Sequence, residues 1–333
     1  MAERFLQLDV FADRPGGGNP LGVVIGAAHW SDSAMQSFAA WVDLVETTFL
    51  LPASDPLASY RLRIFTPTRE IAFAGHPTIG SAHAALATGL VELPAQGLVQ
   101  QCAAGLLPIR AQGEGAQRRL FVQAPAARVL LDGDAAGARL QPLLAGLELG
   151  ALAPALVEGG RRWWMAELAS EAQLRAWRPD HAQIAALAKD SDSLGLCVFA
   201  RAADVDCDYQ LVVRAFPAGV GIIEDPASGA ANGLIGAYIA LSEPAGPLAR
   251  GYRVSQGREI GRDAVIDVEF DSDSRVWVGG RTHLVIEGAL HWPPEARSQG
   301  PQRSPNAFCG CSACSVGGGV RSSIRIPSPS AAG

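Results

Sequence analysis

The stretch Ile223-Glu224-Asp225-Pro226-Ala227-Ser228-Gly229-Ala230-Ala231-Asn232 leads into an apolar run at residues 233–241. Two acids come first, small residues follow, and the apolar run closes the pattern, which predicts a carboxylate placed where a helix begins. A helix start has free N–H groups and about half a positive charge, so it suits an anionic ligand. The stretch therefore indicates chemistry on a small carboxylate-bearing molecule.

A weaker copy of this pattern lies at residues 70–86, where Gly75 and His76 precede Pro77. Proline is favoured in the first turn of a helix, because it has no N–H to leave unpaired there. Strand-like segments precede both copies and begin at Arg63 and Arg214, which lie 151 positions apart (214 − 63). The chain is therefore predicted to consist of two related halves, whose helix starts face one cleft from two sides.

The composition of the 333 residues allows two domains and excludes several classes of protein. Apolar residues make up 48% and charged residues 18%, as in a soluble enzyme. The net charge of -6 argues against nucleic acid as the main partner, since phosphate binding needs a concentrated basic face. No apolar run approaches the roughly 20 residues that cross a bilayer, and no export signal is recognisable, so we expect a cytoplasmic protein without a membrane partner.

Cofactor chemistry is also restricted by the residues present. Lys189 is the one lysine in the sequence and lies in a polar stretch typical of a surface turn. Pyridoxal-phosphate enzymes and P-loop proteins both need a placed lysine, so both classes are disfavoured. The six cysteines are spread over a long chain, which indicates reduced thiols and not a disulfide framework.

Two further residues are candidates for acid–base chemistry. Glu46 interrupts the apolar run at residues 44–51. A lone glutamate in such a strand usually lies on the solvent face, because burying a bare carboxylate is costly, and the alternative is a side chain held in a cleft. His76 is either a catalytic group or a histidine hydrogen-bonded near a helix cap.

Residues 293–333 differ in kind from the rest, since serine, proline and glycine dominate them. Such a composition buries too little apolar surface to stay folded, so we expect a disordered tail. Its cysteines Cys309, Cys311 and Cys314 offer three thiols without a clear fourth ligand, which favours a reduced cluster over a metal site.

The two helix starts, taken with Glu46, resemble the PhzF family of phenazine biosynthesis-like isomerases, which share the diaminopimelate epimerase fold. The matching pieces follow the family's order over about residues 1 to 290. They are Gly18-Asn19-Pro20, Glu46-Thr47-Thr48-Phe49, Ile64-Phe65-Thr66-Pro67 with Phe73-Ala74-Gly75-His76-Pro77, Glu224-Asp225-Pro226-Ala227 with Gly229, and Ser255-Gln256-Gly257 with Ile260-Gly261-Arg262.

This resemblance implies an α+β fold of two similar lobes, each a curled sheet around a central helix, with the site in the cleft between them. It assigns residues 1–117 plus 280–292 to the N-terminal lobe and residues 118–279 to the C-terminal lobe. Relatives are often dimers, and the sequence neither supports nor opposes a homodimer here.

The resemblance also implies roles for individual residues. Glu46 matches the principal acid/base, and His76 and Asp225 match residues that assist proton transfer and hold the substrate. The substrate carboxylate would be received by backbone N–H groups. The matching substrate-binding positions are Gly75, Ser228, Gly229 and Ala230.

The reaction implied is a cofactor-independent proton shift on a small carboxylate, with trans-2,3-dihydro-3-hydroxyanthranilate as the family's substrate and no metal required. Epimerases and racemases of this fold carry a cysteine at each helix start, whereas this chain has Ala74 and Ala227. A two-thiol stereoinversion is therefore excluded unless another pair replaces it. Ala230 stands where many relatives have a serine and Ser228 where they have a threonine, which bears on the substrate more than on the reaction type.

Two alternatives remain open at this point. The first is a ligand-binding protein that keeps the fold and the anion pocket but has no turnover. The second is an epimerase or lyase that uses the same three groups. Retention of Glu46, His76 and Asp225 together favours the isomerase, because a pure binder needs the N–H donors and not the acid–base set.

Overall fold

The computed structural model describes residues 3–204 and 206–292, so the tail predicted at residues 293–333 lies outside the described residues. The strands are β1 Arg4–Val10, β2 Asn19–Ile25, β3 Thr47–Leu51, β4 Tyr60–Phe65, β5 Glu70–Ile71, β6 Leu98–Cys102, β7 Gly105–Gln112, β8 Arg119–Gln123, β9 Arg128–Asp132, β10 Ala155–Gly159, β11 Arg161–Glu167, β12 Gly195–Arg201, β13 Leu211–Phe216, β14 Tyr252–Gln256, β15 Ala264–Phe270, β16 Val276–Gly280 and β17 Thr282–Ala289. The α-helices are α1 Asp32–Val42, α2 Gly75–Ala87, α3 Gly133–Leu144, α4 Glu171–Ala176, α5 His181–Asp190 and α6 Gly229–Ser242.

Strand pairing repeats within the chain. From β1 through β2, β3, β4, β6 and β7 to β8, successive pairs are antiparallel, parallel, antiparallel, parallel, antiparallel and antiparallel. The same order of pairings runs from β10 through β11, β12, β13, β14 and β15 to β16. The structure therefore contains the internal repeat that the sequence predicts, with β4 and β13 at equivalent positions.

Each half wraps around one helix. Helix α2 packs against β1, β2, β3 and β8, and α6 packs against β10, β15 and β16. The helices are apolar or small on nearly every face, as a helix enclosed by a sheet must be. Gly80 of α2 shows how closely the layers approach, because a Cβ there would lie 2.5 Å from the Leu21 side chain. The two enclosures share one apolar core, which includes Ile79 from α2 and Ile235 from α6.

The remaining helices cover the outside of the sheet. Helix α1 begins after Ser31, whose side chain accepts a hydrogen bond from the Ala34 N–H, and it buries Met35 and Phe38 against the outer face. Helices α3, α4 and α5 cover the second half through a separate apolar cluster that includes Leu140 and Ile184. The outer helices thus leave the two central helices to form the interior.

The halves are joined through β8, which pairs with β7 on one side and β16 on the other. Strand β17 pairs with β1. The lobe boundaries at residues 117/118 and 279/280 stay a prediction. Within residues 3–204 and 206–292, no helix has both the length and the apolar character needed to cross a membrane.

Candidate active site

The N-termini of the two central helices meet at the centre of the molecule. A Cβ on Gly75 would lie 3.3 Å from the Gly229 Cα, and a Cβ on Gly229 would lie 3.4 Å from the Gly75 Cα. Any larger residue at either position would therefore separate the helices. Because both helices point their positive ends at one place, their partial charges add there, and the sequence-predicted pair of helix starts forms one site.

The backbone N–H groups at this point are available to a ligand. Helix α2 begins after Ala74, which provides no side-chain cap. Helix α6 begins after Ser228, whose hydroxyl accepts a hydrogen bond from the Ala231 N–H at 3.3 Å. The first N–H groups of a helix have no partner within it, so those of Gly75, Gly229 and Ala230 can receive an anion. The Ser228 hydroxyl, in contrast, already serves as a helix cap.

A cleft of about 1140 Å³ opens onto the meeting point. Every residue predicted for the site lines it, namely Glu46, Gly75, His76, Asp225, Ser228, Gly229 and Ala230. The structure therefore brings together residues that are up to about 180 positions apart in the sequence. Ala74 lines the same cleft. At this position, where racemases of the fold have a cysteine, the side chain is therefore a methyl group.

Glu46 and His76 face each other across this cleft. Glu46 comes directly before β3, and His76 is the second residue of α2. The His76 Nε2 lies 3.3 Å from the Glu46 Oε2, and the two side chains are 7% and 12% exposed. Glu46 is therefore held in the cleft, and the expectation that a lone glutamate here lies on the solvent face is wrong. Neither atom has a hydrogen-bond partner in the described chain, so their approach is a close contact and both remain available to a substrate.

Burial determines which of the two groups carries the proton. Burial, together with the negative charge of Asp225, raises the pKa of Glu46 to about 8. Burial lowers the pKa of His76 to about 3. At neutral pH the proton therefore resides mainly on the Glu46 carboxyl group, which faces a neutral imidazole. A carboxylic acid with a pKa near the working pH is suited to both taking and returning a proton.

Asp225 is the second acid of the cleft. Burial raises the pKa of Asp225 to about 6, although hydrogen bonds from its surroundings oppose the shift. The Ala227 N–H donates to its Oδ1 at 3.3 Å, and the Asn19 Nδ2 donates to the same oxygen at 2.9 Å. Asp225 is therefore largely ionised at neutral pH, and its charge contributes to the high pKa of Glu46.

The amide side chains of Asn19 and Gln256 hold this part of the site in place. Neither was assigned a role from the sequence. Asn19 is fully buried, and its Nδ2 also donates to the Ala227 carbonyl oxygen at 3.0 Å. Gln256 donates to the Asp225 carbonyl oxygen at 2.8 Å and accepts from the Asn232 amide at 2.9 Å. The signal that could have revealed them is an amide residue next to an apolar strand, because a buried amide needs hydrogen-bond partners.

The loop before Asn19 is fixed by a carboxylate. The Asp9 Oδ2 accepts hydrogen bonds from the Gly16 N–H at 2.7 Å and from the Gly18 N–H at 3.0 Å. A Cβ on Gly18 would lie 2.1 Å from the Val10 carbonyl oxygen, so only glycine fits there. The glycine-rich loop therefore binds an acid of its own chain and delivers Asn19 to Asp225.

Within the residues that the structure describes, no group of three or more histidine, cysteine, aspartate or glutamate side chains is arranged to hold a metal ion. The chemistry proposed below uses side chains and helix N–H groups alone.

A family model described as phenazine biosynthesis-like protein, PhzC-PhzF, matches residues 8–288. The chain belongs to this family. Its sequence is similar to two named proteins along nearly their whole length. Antisense-enhancing sequence 1 of Schizosaccharomyces pombe is 31% identical over 293 residues, which cover 85% of this chain and 97% of that protein. Trans-2,3-dihydro-3-hydroxyanthranilate isomerase of Pseudomonas aeruginosa is 30% identical over 296 residues, which cover 84% and 99%.

The fold is likewise similar to a solved structure of the family. The crystal structure of a PhzF-family phenazine biosynthesis protein from Bacillus anthracis matches with a TM-score of 0.73 and 25% identity, covering 87% of this chain and 100% of that one. These similarities confirm the predicted family, the α+β fold of the diaminopimelate epimerase-like type and the isomerase class.

Proposed function

We propose that this protein is a cofactor-independent isomerase that shifts a proton along a small, conjugated carboxylate, with Glu46 as the acid/base. The observation that carries the proposal is the 3.3 Å contact between the buried Glu46 and His76 side chains beside two meeting helix N-termini. This arrangement combines an anion site with a proton carrier whose pKa lies near neutrality.

Substrate binding would use the helix termini. The substrate carboxylate accepts hydrogen bonds from the free N–H groups of Gly75, Gly229 and Ala230, and the partial positive charges of both helices stabilise it. Such fixed donors need no rearrangement when charge builds up on the substrate during the reaction. This placement holds the conjugated part of the substrate next to Glu46.

The proton shift then follows in two balanced steps. The ionised Glu46, about one tenth of the molecules at neutral pH for a pKa near 8, takes a proton from an activated carbon. The electrons of the broken C–H bond enter the conjugated system, and Glu46 returns the proton to a different carbon on the same face, so that a double bond moves. His76 contacts the Glu46 carboxyl group, and Asp225, oriented by Asn19, would hold the substrate's polar groups.

The substrate that we propose is trans-2,3-dihydro-3-hydroxyanthranilate or a close analogue, and the pathway is of the phenazine biosynthesis type. The support is the similarity to the Pseudomonas aeruginosa enzyme named for that substrate, together with the retained acid–base set. A two-thiol racemisation is not supported, because the N-cap residues of the two central helices are Ala74 and Ser228, and neither has a thiol.

The experiment is to incubate the purified protein with this compound and to follow its proton NMR spectrum. We expect loss of the signal from the carbon that gives up the proton and appearance of an isomer of equal mass, with heat-inactivated protein as the control. Line broadening that shows binding without any conversion would overturn the isomerase and favour a binding protein. Inverted stereochemistry at one carbon would indicate an epimerase.

We further propose that the protein acts in the cytoplasm as a homodimer. The apolar side chains of Val285 and Ile286 on β17 are 50% and 52% exposed, and β17 pairs only with β1 in the described chain. Such a strand provides backbone and apolar surface for a second copy. Light scattering after size exclusion should give a dimeric mass, and a Val285→Ser, Ile286→Ser variant should shift toward the monomer. A monomeric wild type would contradict this.

A further inference from the structure

Two arginines line the cleft without an acidic partner in the described chain. Arg69 lies in the connection between β4 and β5, and Arg161 is the first residue of β11. Both are exposed, and neither side chain forms an ion pair or a hydrogen bond with another described residue. They come from the two different halves of the fold. The mechanism above uses neither of them.

The local structure explains why Arg69 lacks a carboxylate. Its neighbour Glu70 accepts two hydrogen bonds from Arg63, at 2.8 Å and 2.7 Å, and is therefore paired with that arginine. The backbone of Arg69 is held in a turn, because its N–H donates to the Thr66 Oγ1 at 3.1 Å and its carbonyl oxygen accepts from the Thr66 N–H at 2.8 Å. The chain thus fixes the backbone of Arg69 at the cleft and pairs the adjacent acid with Arg63.

The same arrangement occurs in the second half. Arg162 donates to Glu158 at 2.8 Å, and Arg128 occupies the other oxygen of that carboxylate at 2.6 Å. Successive residues of a strand point to opposite faces, so Arg161 shares a face with Trp163, which also lines the cleft. The acid on the paired strand is therefore again bound by other arginines, and Arg161 lines the cleft.

In the described chain, none of the carboxylates that line the cleft forms an ion pair with either arginine. Glu46 is mainly protonated at neutral pH, and Glu70 is paired with Arg63. Asp43 and Asp225 remain as negative charges, and the two helix N-termini already add about one positive charge between them. Asp43 and Asp225 match the two arginines in number, so the helix termini leave the cleft with a net positive charge of about one in a chain whose net charge is -6.

The cleft is also large for a single ring. Its volume of about 1140 Å³ exceeds the roughly 300–1,000 Å³ of most small-molecule pockets. We infer that the physiological substrate is an analogue of trans-2,3-dihydro-3-hydroxyanthranilate that carries a second acidic group, with one carboxylate at the helix N-termini and the second group held by Arg69 and Arg161. This inference rests on the proposed function, because it assumes that the helix N-termini receive the first carboxylate.

The test is a comparison of matched ligands by calorimetry and NMR line broadening. Straight-chain dicarboxylates from malonate to suberate are compared with monocarboxylates of equal length, and isophthalate with benzoate. We expect the best dicarboxylate to bind about tenfold or more tightly than its monocarboxylate partner, because charge-assisted bonds to arginine are strong. Arg69→Gln and Arg161→Gln should each reduce this ratio toward one.

The control is Arg128→Gln, which removes the same charge from an exposed arginine that does not line the cleft. It should leave the ratio unchanged. Equal affinities for paired ligands in the wild type, an equal loss in the Arg128→Gln variant, or no binding of any ligand would each overturn the inference. Monocarboxylate binding and isomerisation without a dicarboxylate preference would overturn it while leaving the proposed function intact. A dicarboxylate preference without isomerisation would contradict the proposed isomerase while leaving the second acidic group of the ligand supported.

Discussion

At the residue scale, the chemistry depends on where one proton resides. Burial and the charge of Asp225 raise the pKa of Glu46 to about 8, whereas burial lowers the pKa of His76 to about 3. Glu46 interacts with the charge of Asp225, so the titration of these two carboxyl groups is a property of both acids. Glu46 is thus mainly protonated at neutral pH, and the proposed mechanism starts from its minor ionised form.

The pH dependence of kcat/KM follows from this arrangement. Because the ionised form of Glu46 removes the proton, and its pKa is raised, the rate should increase about tenfold per pH unit below about 8 and level off above it. The measurement is the pH profile with the proposed substrate. A rate that falls above pH 8 would mean that protonated Glu46 begins the reaction and would contradict the proposed order of steps.

Asn19 should act as a positioning residue through Asp225. Replacing Asn19 with alanine removes the donor at 2.9 Å from the Asp225 Oδ1 and leaves the Ala227 carbonyl oxygen unpaired. We expect the pKa of Asp225 to rise further, and because a less ionised Asp225 raises the pKa of Glu46 less, the limb of the pH profile that reports Glu46 should shift toward lower pH. The free energy of unfolding should fall by about 1–3 kcal/mol.

A matched control separates the effect of Asn19 on Asp225 from its effect on the stability of the protein. Thr48 is equally buried, and its hydroxyl bonds to the Gly22 carbonyl oxygen and the Ser81 hydroxyl outside the catalytic set. Thr48→Val should lower stability without moving the pH profile. If both variants shift the profile by the same amount, the role of Asn19 is purely structural.

At the element scale, the proposed anion site depends on the meeting of α2 and α6. The 3.3 Å and 3.4 Å approaches at Gly75 and Gly229 leave no space for a side chain between the helices. Neither glycine has a positive φ, so the requirement is one of space and not of backbone conformation. This distinguishes them from the glycines in turns.

Gly75→Ala and Gly137→Ala form a test pair. Gly137 lies within α3, where a Cβ would meet its nearest neighbour at 4.0 Å, so alanine there should raise the free energy of unfolding by about 0.5–1 kcal/mol. Gly75→Ala should give no such gain and should weaken binding of a monocarboxylate by about tenfold, because it separates the helix termini. Calorimetry on both variants provides the measurement. Unchanged carboxylate affinity in Gly75→Ala would refute the helix-terminus site.

Local patterns predicted the elements of the site but not all of its contacts. The order of acids, small residues and apolar run in residues 223–241 revealed the start of α6, because capping and helical periodicity act over a few residues. The burial of Glu46 was not visible locally, since it depends on α2 closing over the residue before β3. The contact of Asn19 with Asp225 joins residues 206 positions apart, and no local pattern encodes it.

At the scale of the whole molecule, side-chain ion pairs link the two halves in addition to the strand pairs. Asp13, which follows β1, binds Arg253 of β14 at 3.0 Å and accepts a second hydrogen bond from Arg281, at 2.8 Å from its Nε. Burial opposes ionisation here, but the hydrogen bonds from Arg281 and Arg253 hold the pKa of Asp13 below its ordinary value of 3.8. The link therefore depends on an ionised carboxylate.

Asp13→Asn should weaken this link between the halves. A carboxylate with a lowered pKa contributes stability above its unfolded-state pKa and loses it as the pH falls through the folded value. The variant should therefore lose about 1 kcal/mol of unfolding free energy at neutral pH, a modest amount because the pair is partly exposed, and the difference should disappear well below pH 4.

Denaturant unfolding at two pH values would measure this effect. Asp273→Asn is the control, because its pair with Arg275 is 65% and 50% exposed. Its effect should stay within about 0.5 kcal/mol at either pH. A loss for Asp13→Asn that is independent of pH would show that packing, and not the ion pair, accounts for it.

The repeat of the whole molecule was predictable only in outline. The equivalent strands β4 and β13 both end in an arginine, a small or branched residue and a phenylalanine, which indicated two related halves. The order of parallel and antiparallel pairs was not visible, because it is set by partners far apart in the chain. The fold was predicted from the resemblance to the family, and the repeated order of strand pairs is the structural basis of the two related halves.

The central claim is that Glu46 carries the proton, and the most direct test compares the wild type with Glu46→Gln. This substitution keeps the size of the side chain but removes its ability to accept and return a proton. Proton NMR with trans-2,3-dihydro-3-hydroxyanthranilate should show conversion by the wild type, and binding by the variant with a rate at least about 10³-fold lower. Conversion by the variant at the wild-type rate would contradict the claim.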